Sequence, residues 1–207
     1  MRALPDRLLA AAAMLVTERG PQGFSLREVA RRARVSEAAP YWHFASKEAL
    51  LAGVAEQGFL RLGDAMAEVR ARVAEPRRRL QALGVAYVRF ALAHPSHLRI
   101  MFGPEIPDKT AHPSLHASAR RAFELLVTTV ADAQRAGHAR RGDPEELAVA
   151  AWALVHGLSA LLIDGQLKER VRRSRDAEEL ASRVTTLLQT GLDPEPATRR
   201  RGPSRRA

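Results

Sequence analysis

The stretch GFSLREVARRARVSEAAPYWHFASKEALL, residues 23–51, decides the reading of this chain. Ser25 and Glu28 form an S-x-x-E capping box, which starts a helix at Leu26. ARVS, residues 33–36, is a short turn. Ser36 is the expected N-cap of a very short helix, Glu37 to His43, and Ser46 that of a longer one from Lys47 to about Val73. Upstream, Leu8, Ala12, Leu15 and Val16 line one face of a helix from about Pro5 to Arg19, closed by Gly20. Two short helices joined by a tight turn, with a third before them, have the layout of a helix-turn-helix. Phe24, Val29, Val35, Phe44 and Leu50 are spaced to share one small core.

That packing leaves Glu37, Ala38, Ala39, Tyr41, Trp42 and His43 facing outward. The helix is too short to bury Tyr41, Trp42 and His43 together, and a nucleic-acid surface accounts for them. Ala38 and Ala39 are small enough to sit against a thymine methyl, and Tyr41 and His43 can reach phosphate oxygens. Ser25, Ser36, Ser46 and Lys47 stand at helix N-termini, which favour anions. Arg27 and Arg34 join the candidate contacts. Arg31 and Arg32 fit phosphate contact and a solvated helix face equally. Pro40 falls near the fourth residue of the short helix, so it loses about one early hydrogen bond, less than the ~3 kcal/mol of a mid-helix proline.

The chain has 207 residues, 46% of them hydrophobic, enough for a sizeable core. Its net charge of +10 attracts phosphate, but only Lys47, Lys109 and Lys168 are lysines. The remaining excess is arginine, part of which a GC-rich genome would supply. With no cysteine there is no disulfide, thiolate chemistry or cysteine-held zinc. No signal-peptide pattern is visible, and a cytoplasmic bacterial protein is expected.

The remainder reads as helix, with no strand pattern and no internal repeat. Helices are expected from Pro76 to Ala93, briefly within residues 94–108, over residues 112–136, after the Asp143 cap, and over residues 177–190. DPEPATRRRGPSRRA, residues 193–207, reads as a disordered basic tail. Residues 147–163, LAVAAWALVHGLSALLI, carry only His156 and Ser159 as polar side chains apart from the indole. A helix apolar all round must be covered on every side. One face can pack on its own domain and the other on a second copy. Leu147, Ala151, Leu154, Leu158 and Leu161, with Leu180, Val184, Leu187 and Leu188 of the last helix, are the candidate subunit interface. A membrane span is the rejected alternative, because alanine, glycine and His156 interrupt the run and its flanks are acidic.

From Leu8 to Val54 the sequence resembles the DNA-binding domain of TetR/AcrR-type transcriptional regulators, on residues 23–51 quoted above. It departs from that pattern at Arg34, where glycine is usual, and at Ala38-Ala39-Pro40, where the family often has Gly-Thr-Leu. AWALVHGLSALLIDG, residues 151–165, resembles a C-terminal subtype with a Trp…His-Gly signature, here Trp152, His156 and Gly157. ALAHPSHLRIMFG, residues 91–103, is similar to the segment preceding it. The resemblance implies an all-α homodimer. A helix-turn-helix domain would occupy residues 1–54, a connector helix would continue to about residue 73, and residues 76–192 would form an effector-binding and dimerisation domain. It implies a repressor whose two heads enter successive major grooves of a palindromic operator, roughly 34 Å apart. A small hydrophobic or amphipathic effector would release it.

Phe90, His94, Met101, Phe102, Phe123, Leu126, Trp152 and His156 are the candidate pocket lining. His156 fits both a satisfied core histidine and a polar group that orients a ligand. His94 with His97, and His112 with His116, have spacings that place two ligands on one helical face. A helical metal protein or enzyme using them is one alternative, and a membrane-surface protein is another. No catalytic motif, cofactor loop or metal set is present, so none is expected.

Overall fold

The computed structural model describes residues 3–171 and 173–192; the basic tail lies outside them. Among the described residues there are eight α-helices, two 3-10 turns and no strand. They are α1 (Leu4–Arg19), α2 (Leu26–Ala33), α3 (Lys47–Arg72), α4 (Pro76–Ala93), α5 (Pro95–Phe102), α6 (Pro113–Arg135), α7 (Pro144–Ile163) and α8 (Ser174–Leu192).

The starts are written in the sequence. Ser25 accepts from Glu28 N–H while the Glu28 carboxylate accepts from Ser25 N–H, so the capping box is complete. Ser46, Glu75 and Asp143 cap α3, α4 and α7 through their side chains. Helices α1, α4, α5, α6 and α7 each carry proline in the first two positions, where its missing N–H costs nothing.

Three helix ends share one hydrogen-bond pattern. At α6, His138 N–H reaches Ala133 O and Gly137 N–H reaches Gln134 O; at α7, Gln166 and Gly165 repeat it on Leu161 and Leu162. Both glycines have positive φ, 72° and 71°. At α2, Val35 N–H bonds Ala30 O and Arg34 N–H bonds Arg31 O, so Arg34 holds the left-handed position at φ 55°, ψ 52°. Among the described residues it is the only non-glycine with positive φ.

Helix α3 is the spine, packed by α1 on the N-terminal side and by α4, α5 and α6 further along. The buried core is continuous, from Leu8, Val16, Val29 and Leu50 through Phe59, Leu62 and Met66 to Tyr87, Ile100, Met101, Leu115 and Val155. At the far end of α3, Arg70 and Arg79 converge on Asp132 at 3.3 and 3.4 Å, tying α3 and α4 to α6.

Two expectations change. Residues 37–43 do not form an α-helix; a 3-10 turn spans Ala39–Trp42. Pro40 has no N–H to give Ser36 O, so three-residue bonds take over: Ala39 to Ser36, Tyr41 to Ala38 and His43 to Pro40. Ser36 is therefore no side-chain cap, and Ala39 is buried rather than outward. The last helix begins earlier than expected, at Ser174.

Candidate nucleic-acid interface and effector cavity

The 3-10 turn packs on α2 and presents its aromatics to solvent. Trp42 is 83% exposed and Tyr41 55%, which no folded-state packing requires of either ring. Glu37, Ala38 and His43 are also exposed. Phe44 turns inward against the core, in the space left by Gly53.

Lys47 draws two helix starts together. Its Nζ donates to Phe24 O at 2.6 Å and Gln22 O at 3.3 Å, and lies 4.4 Å from the Phe24 ring centroid. The N-terminus of α3 is thereby fastened beside that of α2. Desolvation holds the Lys47 pKa below its ordinary value. This lysine is a structural tie, a role its sequence position did not reveal. The Ser25 and Ser46 side chains are engaged in capping. Arg27 lies 3.8 Å from Glu37, both well exposed, and Arg34 is exposed. Arg32 pairs with Glu18 and Arg19 with Glu28, which binds α1 to α2.

A second feature lies in the C-terminal half, a cavity of about 360 Å³. Helix α3 supplies Phe59, Leu62 and Met66, and α4 supplies Tyr87. Met101 and Phe102 of α5, Ala119, Ala122, Phe123 and Leu126 of α6, and Trp152 of α7 complete the apolar wall. Lys109, His116 and Arg120 line it too, the last two exposed, so the mouth is basic. Of the residues expected to line a pocket, Met101, Phe102, Phe123, Leu126 and Trp152 meet here. Phe90 and His94 do not: Phe90 is core, and His94 ends α4 with its ring 5.3 Å from that of Phe90. The contribution of α3, the Tyr87 hydroxyl and the basic rim escaped the sequence reading. Lys109 offered one signal, as one of three lysines in an arginine-rich chain.

His156 stands behind the wall. Its Nδ1 is 2.8 Å from the Tyr87 hydroxyl, and Trp152 Nε1–H donates to the same oxygen at 3.4 Å. Burial lowers the His156 pKa, which favours the neutral ring, and in the tautomer protonated on Nε2 its Nδ1 accepts the Tyr87 O–H hydrogen bond. Burial also raises the Tyr87 pKa. Phe102 is the hub of this cluster, with its ring centroid 4.7 Å from His156 and 5.5 Å from both Trp152 and Phe59.

The other histidines are accounted for differently. His94 and His97 are ring neighbours at 5.6 Å, while His112 Nε2 meets Glu48 Oε1 at 3.1 Å. Among the described residues no group of three or more His, Asp or Glu side chains converges.

Two family models match. "Bacterial regulatory proteins, tetR family" covers residues 8–54, and "Tetracyclin repressor-like, C-terminal domain" covers residues 80–188. The chain belongs to the TetR family. It is a bacterial DNA-binding transcriptional regulator, and the exposed turn lies within the matched N-terminal segment. A Rhodococcus sp. RHA1 protein of unknown function is 35% identical, with TM-score 0.79, over 93% of this chain and 96% of its own. PfmR, a TetR family transcriptional regulator from Thermus thermophilus, is 24% identical with TM-score 0.70, over 91% and 100%. A TetR-family regulatory protein from Rhodococcus RHA1 is 20% identical with TM-score 0.73, over 93% and 98%. At these last two identities the likeness is one of fold. No curated protein matches the sequence.

Proposed function

We propose that this TetR-family chain is a cytoplasmic, homodimeric repressor that releases a pseudo-palindromic operator when a small molecule fills the cavity. The observation that carries the DNA reading is the exposure of Trp42 and Tyr41 on a short turn braced by α2, beside two capped helix starts. Those starts offer backbone N–H groups to phosphates, and Arg27, Arg34 and His43 add donors. Glu37 and Ala38 complete the base-facing set. Residues 1–54 would form the head and residues 76–192 the effector and dimerisation unit, with α3 shared by both.

The cavity supports ligand response. It is concave and apolar, within the range of small-molecule sites. Helix α3 walls it and also carries the Ser46 end of the head, so a ligand that favours one tilt of α3 changes the spacing of two heads. The shift is limited by the ligand's differential affinity for the two states.

For the dimer, burial redraws the expected surface. Leu147, Ala151 and Leu158 are buried within their own subunit, and Leu180, Val184 and Leu188 pack against its core. Leu154, Leu161 and Leu187 remain exposed, joined by Val149, Ala150, Ala153 and Gly157, which the sequence reading did not assign to the interface. Helix α7 is long and apolar enough to cross a membrane by composition, at mean hydropathy 1.8. Its inner face packs on α4, α6 and α8, and its outer stripe of small and branched residues suits a second copy.

The test is binding of the purified protein to DNA from its own upstream intergenic region, against a scrambled duplex of equal length at physiological salt. Preference for the native duplex, lost in Tyr41→Ala with the dimer intact, is expected. Equal, salt-sensitive binding to both would reduce the interaction to net charge.

A further inference from the structure

The chemistry of the cavity is divided between its wall and its mouth. The wall holds two hydrogen-bonding side chains, Tyr87 and Trp152, and both are already engaged: Trp152 Nε1–H on the Tyr87 oxygen, and the hydroxyl on His156 Nδ1. A polar group placed deep inside would exchange its hydration for at most one remaining lone pair on the Tyr87 oxygen. The interior therefore selects an apolar body.

The mouth is different. Lys109, His116 and Arg120 line it, and no lining residue is acidic. Lys109 is half-buried on a one-turn 3-10 helix capped by Asp108, and it has no carboxylate within ion-pair distance among the described residues. The Asp108 carboxylate is turned to Thr110, taking its N–H and its hydroxyl. Arg120 bonds Glu124 through Nη2 at 2.7 Å, which leaves further guanidinium N–H groups. The His116 ring lies in the same lining, four positions before Arg120 on α6. An unpaired ammonium on half-buried Lys109, with an imidazole one helical step from a guanidinium, makes a basic rim on an apolar cavity.

We propose that the effector is an anionic amphiphile: an apolar chain or ring system seated among Phe59, Met66, Phe123 and Trp152, with one acidic headgroup held by Lys109, His116 and Arg120. This rests on the reading of the cavity as the effector site. Carboxylate and phosphate headgroups share this chemistry.

The experiment uses the full chain carrying Trp42→Phe, so that Trp152 is the sole tryptophan and reports on the cavity by fluorescence. Decanoate, decyl phosphate, decanol and decyltrimethylammonium are titrated below their micellar concentrations. At least one anion is expected to bind about tenfold tighter than decanol, the scale of a charge-assisted hydrogen bond, and the ammonium weakest. The tighter anion identifies the headgroup. Lys109→Met with Arg120→Met should bring anion binding down to that of decanol and leave decanol unchanged. Ala119→Phe, which fills the cavity without adding a tryptophan, should abolish binding of all four. Decanol binding as tightly as both anions, or a double variant that still prefers them, would overturn the anionic headgroup while the cavity reading stands. Fluorescence unmoved by all four ligands would overturn the cavity as an effector site.

Discussion

His112 reaches back to Glu48 across 64 positions, with Nε2 and Oε1 3.1 Å apart. Glu48 lies in the first turn of α3, beside Ser46 and Lys47. His112 sits in the segment that carries Lys109 and His116 to the cavity mouth. One hydrogen bond therefore joins the rim of the cavity to the N-terminal turn of α3, at the head.

The first prediction follows from that bond. In Glu48→Gln and His112→Ala, operator affinity without effector should change by no more than about fivefold, the range of a partly exposed pair. The effector-induced loss of affinity should shrink in both. Fluorescence anisotropy on labelled operator with and without effector measures this, and an undiminished effector response would remove the contact from the coupling.

Arg34 occupies a left-handed position that glycine fills at Gly137 and Gly165. Relieving a non-glycine residue of that conformation is worth about 1 kcal/mol. Arg34→Gly should raise the urea midpoint accordingly while weakening DNA binding and flattening its salt dependence by about one phosphate contact. A gain in stability with DNA binding untouched would show that Arg34 merely tolerates the turn.

Tyr87→Phe leaves His156 Nδ1 and Trp152 Nε1 without their shared partner. Each buried unsatisfied group costs about 1–3 kcal/mol. The variant should unfold at lower denaturant, and His156→Ala should cost less when added to it than on its own, because the pair is already broken. Additive losses in the double-mutant cycle would contradict the link.

His97 sits 7% exposed between α5 and α3, and its Nδ1 is buried without a partner. Desolvation, then Arg61, then His94 bring its pKa down to about 4 from 6.5. Burial also lowers His94 and His156. A histidine depressed in the folded state binds fewer protons there than when unfolded, so stability falls as pH drops from about 6.5 towards 4. For His97 the upper bound is on the order of 3 kcal/mol. Urea unfolding at pH 7.5 and pH 5 should show the loss, and His97→Gln should reduce it. A slope that His97→Gln leaves unchanged would assign it elsewhere.

The outer stripe of α7 and α8 makes the fifth prediction. Leu154→Glu with Leu187→Glu should yield folded monomers by light scattering, because both side chains are exposed in the subunit. Leu158→Glu should instead unfold the chain, since Leu158 is buried within it. A dimer that survives the first pair would place the interface elsewhere.

Local chemistry made most of the architecture legible. A Ser or Asp cap, a proline at a helix start and a glycine at its end act within a few residues, so the bounds of α2, α3, α4 and α7 follow from short strings. The same holds for the exposure of Tyr41 and Trp42 and for the resemblance their segment carries, although that segment was expected as a short helix. Pro40 was visible too, but its effect depended on which carbonyl it would have bonded. Ala39 was misjudged because a 3-10 turn rotates its side chains differently from an α-helix.

What depends on distant chain segments could be settled only by tertiary packing. Helix α7 is apolar around its circumference, so its periodicity cannot say which side meets α4, α6 and α8; burial chose Ala151 and Leu158 and left Leu154 and Leu161 outside. Lys47 reads as a phosphate ligand in the sequence, and in the fold its ammonium also donates to the carbonyls of Gln22 and Phe24. The cavity draws on five helices and a loop, none of which carries its shape alone. By itself the sequence determined an all-helical regulator with an exposed aromatic turn, because those signals are local. The cavity, its basic mouth and the His112–Glu48 contact were decided by the fold, because a hydrogen bond spanning 64 residues leaves no periodic trace in the chain.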